Sequence, residues 1–158
     1  MTNRWNAARA FATYLDQNSL LYRHQSVLEL GAGGGLPGIV TAKNGARKVI
    51  SYGYDQHVQD ALTLVTLQVV LTDYPDAELL ENLRYNVQAN VPDTLRHLVD
   101  VEGYIWGQQV SPLLDLLPDS AVQSGKGFNL IILSDLIFNH SQVRQYALRI
   151  YVAQAQKA

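Results

Sequence analysis

Ser26-Val-Leu-Glu-Leu-Gly-Ala-Gly-Gly-Gly-Leu-Pro-Gly38 is the stretch that decides the fold. Ser26 to Leu30 reads as a short buried strand that carries an acid, Glu29, and runs straight into a glycine-rich turn. Leu36 then opens a helix that stops near Asn44-Gly45, residue types that favour the left-handed conformation closing a helix. Strand, glycine turn and helix in this order begin a parallel βαβ unit. The turn also lets the backbone pass close to a ligand, because glycine has no Cβ and tolerates positive φ.

The rest of the chain extends this unit in both directions. Residues 4–16 suit an amphipathic helix, with Trp5, Ala8, Ala12 and Leu15 on one stripe. Val69-Val-Leu-Thr-Asp73 is a second buried strand. Tyr74-Pro-Asp76 then starts a helix from Ala77 to about Ala89, with Leu79, Leu80, Leu83 and Val87 as its apolar stripe. Asn82, Asn86 and Asn90 share another face, which reads as solvent-facing or as an anchor for a loop. Val99 to Tyr104 is a third strand, and Phe128 to Leu133 a fourth that delivers Ser134-Asp135 at its end. Val110 to Gly127, with Pro112 and Pro118, reads as a loop or short helix. Strands alternating with helices predict an α/β fold with a parallel, Rossmann-like sheet and right-handed crossovers. Ligands bind such sheets at the carboxyl ends of the strands. The glycine turn, Asp73 and Ser134-Asp135 all fall at ends of that kind.

Composition narrows the function classes. The 158 residues are one domain's worth, 47% hydrophobic, with a net charge of −2. That charge gives no electrostatic case for nucleic acid or anionic membrane. With no cysteine, thiol catalysis, disulfides and zinc-thiolate sites are excluded. The histidines His24, His57, His97 and His140 show no metal-ligand spacing, so no metal is expected. No stretch is apolar for long enough to span a membrane, and Met1 to Trp5 shows no signal-type apolar region, so a cytoplasmic protein is expected.

Two cofactor classes use such a turn: dinucleotides and S-adenosylmethionine. Gly33-Gly-Gly-Leu-Pro-Gly38 formally satisfies the G-x-G-x-x-G dinucleotide pattern. Glu29 argues the other way. A carboxylate there is poorly placed for a pyrophosphate, yet it can order the loop and the ammonium of a methionine moiety. Asp73 can accept hydrogen bonds from both ribose hydroxyls, a role common to both classes, or merely cap the following helix. Trp106, in Ile105-Trp-Gly-Gln108, offers a flat surface for an adenine ring, or packs into the core.

These segments together carry a family resemblance. Trp5-Asn-Ala-Ala8, Val27 to Val40, Leu71 to Asp76, Asn82 to Asn90, Trp106-Gly-Gln108 and Leu133-Ser-Asp-Leu-Ile-Phe-Asn-His-Ser141 resemble the seven-β-strand lysine methyltransferase-like family. Thr72 to Asp76 and Ser134 to Ser141 most resemble its branch that methylates the N-terminus and an adjacent lysine of elongation factor 1-alpha, formerly labelled nicotinamide N-methyltransferases. The resemblance implies a class I methyltransferase fold. It also implies that Trp5, Gly31, Ala32, Gly33, Asp73, Trp106 and Ser134 line an S-adenosylmethionine pocket, with Glu29 ordering it. The family's acidic-x-x-aromatic motif falls on Asp135-Leu-Ile-Phe138. Asp135 is the residue expected to orient the substrate amine and take its proton, and Phe138 to wall a lysine stem. Many relatives have tyrosine where this chain has Phe138, which removes any hydroxyl-dependent role there. The implied partner is a protein substrate, elongation factor 1-alpha.

The chain departs from the pattern in two places. Asp73 lies 42 residues after Gly31, whereas an acid on the second strand is expected about 20 residues after such a loop. The excess is the segment 49–68, from Val49 to Gln68, which has no counterpart in the family pattern. After Gln142 the pattern stops abruptly, and 143–158 resembles nothing expected there. Both departures begin with valine, and they fit retained introns translated in frame; a lineage-specific loop and tail are the alternative. On this reading, 1–142 is a partial methyltransferase domain with about four of seven strands, in spatial order 3-2-1-4. Strand four is then an exposed edge, prone to aggregation, and weak stability and low or absent activity are expected. Rival readings are a small-molecule N-methyltransferase of the nicotinamide type, an NAD(P)-binding oxidoreductase and a non-catalytic remnant.

Overall fold

The computed structural model describes residues 5–45, 68–117 and 127–133, with side chains from Ala7 onward. The Trp5 side chain, nearly all of 49–68, the Ser134, Asp135 and Phe138 positions and the tail 143–158 lie outside the described residues.

Helix α1 (Trp5–Gln17) leads through a 3-10 turn at Ser19–Leu21 to strand β1 (Val27–Leu30). The glycine turn and helix α2 (Leu36–Gly45) follow, then β2 (Val69–Asp73) and α3 (Ala77–Asn90). A second 3-10 turn, Asp93–Leu98, precedes β3 (Val99–Gly103); the short α4 (Ser111–Leu114) and β4 (Leu130–Ile132) complete the described elements. The sheet is parallel, with the expected order β3-β2-β1-β4.

Strand alternation divides the core between the two faces of this sheet. On one face Val27, Val69, Leu71 and Ile132 pack with Leu15 of α1, Ile39 and Ala42 of α2, and Leu83 and Val87 of α3. On the other, Leu28, Leu30 and Val70 pack with Tyr104, Leu113, Leu117 and Phe128. The division follows the path of the chain. From β1 to β3 the chain steps outward in one direction, so right-handed crossovers lay α2 and α3 on one face. From β3 it returns past β1 to β4, and that connection covers the opposite face. The reversal makes the crevice beside β1 the topological switch point, where sheets of this kind hold ligands. The glycine turn leaves β1 at that point.

Local signals account for the boundaries. Asp76 is the N-cap of α3: its side chain accepts hydrogen bonds from the Glu78 and Leu79 amides. Of the predicted α3 stripe, Leu83 and Val87 are buried, Leu80 is half-buried against Gly103, and Leu79 is 43% exposed. Gln68, the last residue of the unmatched segment, is built into the sheet, since its carbonyl accepts the Val27 amide. Its side chain bonds Asp100. Beyond β1 the sheet holds only β4 among the described residues, and Leu133 stands 43% exposed beside it. No described helix is long and apolar enough to cross a membrane.

Candidate functional site

The register sets the site. Leu30 lies level with Thr72 and Glu102, and Asp73 with Gly103. The glycine turn, Asp73 and the segment Tyr104–Trp106 therefore emerge at one height along the carboxyl edge of the sheet. The chain leaves β4 through Leu133 toward Ser134-Asp135, which lie outside the described residues.

Within the turn, Gly31, Gly33 and Gly35 all take positive φ, +65°, +55° and +72°. Two of them are needed for different reasons. A Cβ on Gly35 would stand 2.5 Å from Leu83 Cδ1, so this glycine lets α3 close against the turn. A Cβ on Gly33 would meet nothing within 4 Å. Gly33 thus borders open space at the crest of the turn, where a ligand can approach the backbone.

The turn is fixed by the strands and helix around it. The Ala32 amide donates to the Thr72 carbonyl at 2.9 Å, and the Gly35 amide to the Ala32 carbonyl at 2.7 Å. Asp73 Oδ2 accepts the Gly33 amide at 2.7 Å, while its Oδ1 accepts the Tyr74 amide at 2.7 Å. Asn86 Nδ2 donates to the Gly34 carbonyl at 3.2 Å. Thr72 Oγ1 donates to the Glu29 carbonyl, tying β2 to the last residues of β1.

Glu29 is wholly buried on the α2 face, and its Oε2 accepts the Gly38 amide at 2.8 Å. The first amides of a helix have no intrahelical acceptor and attract anions. Here the chain's own carboxylate takes one of them. A pyrophosphate at this end of α2 would meet Glu29 and Asp73, two carboxylates, and the segment from Gly31 to Gly38 supplies no cationic side chain. The donor set therefore suits a ligand without phosphate. Asp73 retains acceptor capacity beyond its two amide partners, because a carboxylate offers about four lone-pair sites. A ribose diol can use that capacity.

The expected site residues separate into three groups. Glu29, Gly31, Ala32, Gly33 and Asp73 are brought together around the turn, and Asp76 rather than Asp73 caps α3. Trp106 is half-buried and packs against the second face of the core, beside Tyr104 and Leu113. It sits just past β3 at the same carboxyl edge. Tyr104 donates its hydroxyl to the Gln108 carbonyl, and burial pushes its phenol above the ordinary value, holding it neutral. The Trp5 side chain, Ser134, Asp135 and Phe138 lie outside the described residues. Thr72 and Asn86 were not singled out as site residues by sequence. The asparagine repeat at 82, 86 and 90 was the available signal for Asn86.

Comparison with known proteins gives the family. A lysine methyltransferase family model matches residues 2–150. Curated relatives named protein N-terminal and lysine N-methyltransferase EFM7 align with 87% of the chain. The one from Cryptococcus neoformans var. neoformans is 42% identical over 138 residues, the one from Candida glabrata 41%, and the one from Schizosaccharomyces pombe 33%. The alignments cover 38%, 44% and 44% of those relatives, so the chain spans less than half of their length. With the glycine turn at the switch point, an acid closing β2 and a family match over nearly its whole length, this chain belongs to the lysine methyltransferase family.

Proposed function

We propose that the protein is an S-adenosylmethionine-dependent N-methyltransferase acting on a protein amine, at an N-terminus, a lysine or both, in a translation elongation factor of the 1-alpha type. The observation that carries the cofactor reading is the Glu29–Gly38 bond. It places an acid at the helix end that a pyrophosphate would need, while Asp73 stays available to a ribose. The elongation-factor reading rests on the resemblance of Thr72 to Asp76 and of Ser134 to Ser141 to that branch of the family. The names of the EFM7 relatives support a protein substrate. A cytoplasmic location goes with that substrate.

When bound, S-adenosylmethionine supplies a methyl group made electrophilic by its sulfonium. The chain's part is orientation and the supply of a deprotonated amine. Asp73 would hold the ribose hydroxyls and the Gly31-Ala-Gly33 backbone would border the methionine end, while the family resemblance assigns Trp106, Trp5 and Ser134 to the rest of the pocket. By the family resemblance, Asp135 would accept a hydrogen bond from the substrate amine, orient its lone pair and take the proton that the nitrogen loses on methylation. By the same resemblance, Phe138 would wall a lysine stem.

The test has two stages. Titration of the chain with S-adenosylhomocysteine and, separately, with NAD is expected to give binding only with the former. Incubation with methyl-labelled S-adenosylmethionine and a cell lysate is then expected to label a protein of elongation-factor size. Binding of NAD overturns the cofactor reading. Label confined to small molecules overturns the protein substrate, and cofactor binding without any transfer assigns this polypeptide a non-catalytic role.

A further inference from the structure

The turn contains three successive peptide groups with different fates. In the Ala32–Gly33 peptide, the carbonyl accepts the Gly35 amide and the N–H donates to Asp73. In the Gly34–Gly35 peptide, the carbonyl accepts Asn86 Nδ2 and the N–H donates to Ala32. Between them, neither the Gly33 carbonyl nor the Gly34 N–H hydrogen-bonds to another described residue. This central peptide lies at the crest, where a Cβ on Gly33 meets open space. Pinning the flanking peptides at both ends fixes the plane of the one between, because each peptide is rigid and only φ and ψ of Gly33 and Gly34 remain.

We infer that Asn86 is a positioning residue for the cofactor: by holding the Gly34 carbonyl it aims the Gly33–Gly34 peptide, whose donor and acceptor have no hydrogen-bond partner among the described residues, at the ligand. The inference rests on reading the turn as an S-adenosylmethionine cradle. Asn86 lies on α3, 52 residues along the chain from Gly34, and its side-chain bond goes to the Gly34 carbonyl, one peptide beyond the crest. Asp73 pins one side of the crest peptide and Asn86 the other. Without Asn86 the Gly34 carbonyl has no partner among the described residues, the Gly34–Gly35 peptide keeps only its N–H bond to Ala32, and the two glycines give the crest more freedom to rotate. The cofactor must then bear the ordering cost. Its neighbours on the helix do other work: Asn90 donates to the Asn86 carbonyl and Asn82 is exposed.

The test uses the full 158-residue chain, with S-adenosylhomocysteine as the probe. Asn86→Asp keeps the size and, ionised, removes the donor; Asn86→Ala removes both; Asn82→Ala is the control on the same helix face. Both Asn86 variants are expected to bind about five- to tenfold more weakly, the range set by losing one net hydrogen bond. Asn82→Ala is expected to bind as wild type. Amide exchange separates positioning from general destabilisation: Gly35 should exchange faster in the Asn86 variants while the β1 amides and the melting temperature hold. Should Asn86→Asp fail to fold, Asn86→Ser serves with the same readouts. In the wild-type chain the Gly34 amide should exchange fast and become protected when S-adenosylhomocysteine is added. Binding within twofold of wild type in the folded Asn86 variants overturns the inference. So does equal weakening by Asn82→Ala. Failure of the wild-type chain to bind S-adenosylhomocysteine instead overturns the cradle reading beneath it.

Discussion

Glu29 and Gly38 form a closed pair: the buried carboxylate accepts the Gly38 amide at 2.8 Å, and a Cβ on Gly38 would stand 2.6 Å from that same oxygen. The acid and the missing side chain therefore depend on each other. The pairing turns the anion-attracting end of α2 inward, onto the chain's own β1. Glu29→Ala leaves the Gly38 amide without its acceptor and opens a void beside Leu71. A loss of about 1–3 kcal/mol is expected from the unsatisfied amide, read as a lower midpoint in urea unfolding. Glu29→Gln keeps an acceptor oxygen and the volume, so its loss should be smaller. An equal loss in both would mean that the charge, not the hydrogen bond, holds the turn.

Gly35 and Gly33 should respond differently to alanine. Both have positive φ, which costs an L-residue about 1–2 kcal/mol. At Gly35 the new methyl also drives into Leu83, so Gly35→Ala is expected to destabilise the fold by more than that conformational cost. At Gly33 the methyl enters open space, so the stability loss should stay within the conformational cost. Yet Gly33→Ala should lose most S-adenosylhomocysteine binding, because the methyl fills the space left for the ligand. Thermal melts and titration of the two variants check the contrast.

This contrast marks how far the sequence could be read. The run from Ser26 to Gly38, the apolar stretches at 69–73 and 128–133 and the Tyr-Pro-Asp start of α3 predict the elements and the position of the turn, because they are local signals; the strand order came from the family resemblance. The partners of the turn are not local. Thr72 meets Glu29 across 43 residues and Asn86 meets Gly34 across 52, and no spacing rule reports such a pair. Asp73 was legible as a strand-end acid, but not that both its oxygens already accept amides. Trp106 was legible as an aromatic after β3, while its packing onto the second face depends on α4, which the sequence left as a loop or short helix.

Asp73→Asn tests the shared duty of that side chain. Asparagine offers one acceptor oxygen, so its NH2 group must face either the Gly33 or the Tyr74 amide, donor against donor. Stability should fall by about 1 kcal/mol. Affinity for S-adenosylhomocysteine should fall by tenfold or more, by about 1.4 kcal/mol, because the single remaining oxygen cannot serve the ribose and both amides. Unchanged affinity in a folded variant would remove Asp73 from the cofactor site.

Burial raises the Tyr22 and Tyr104 phenols above 10.0 in the folded chain. A raised folded pKa means that the native state holds the proton more tightly than the unfolded state. The stability this contributes is full below pH 10 and is lost as pH rises through the folded values. The melting temperature should therefore hold up to about pH 9 and fall steeply beyond pH 10. Tyr22→Phe, which deletes the hydroxyl that donates to the Leu15 carbonyl, should melt lower at neutral pH and show a shallower alkaline decline. A decline as steep as wild type would assign the alkaline limb elsewhere.

The final prediction concerns the segment 49–67. Helix α2 ends at Gly45 and β2 begins at Val69, with Gln68 already bonded to Val27 and Asp100. An αβ connection in a parallel unit typically needs only about 2–6 residues. Joining Lys48 directly to Gln68 leaves Ala46, Arg47 and Lys48 to make the crossing and keeps every described bond of the turn. It also brings Asp73 to the spacing expected after a glycine loop, about 20 residues. The deletion variant should bind S-adenosylhomocysteine as the full chain does and melt no lower. Transcript reads that splice out this stretch would agree with that outcome. Loss of folding in the deletion variant would instead make the segment a genuine part of the domain.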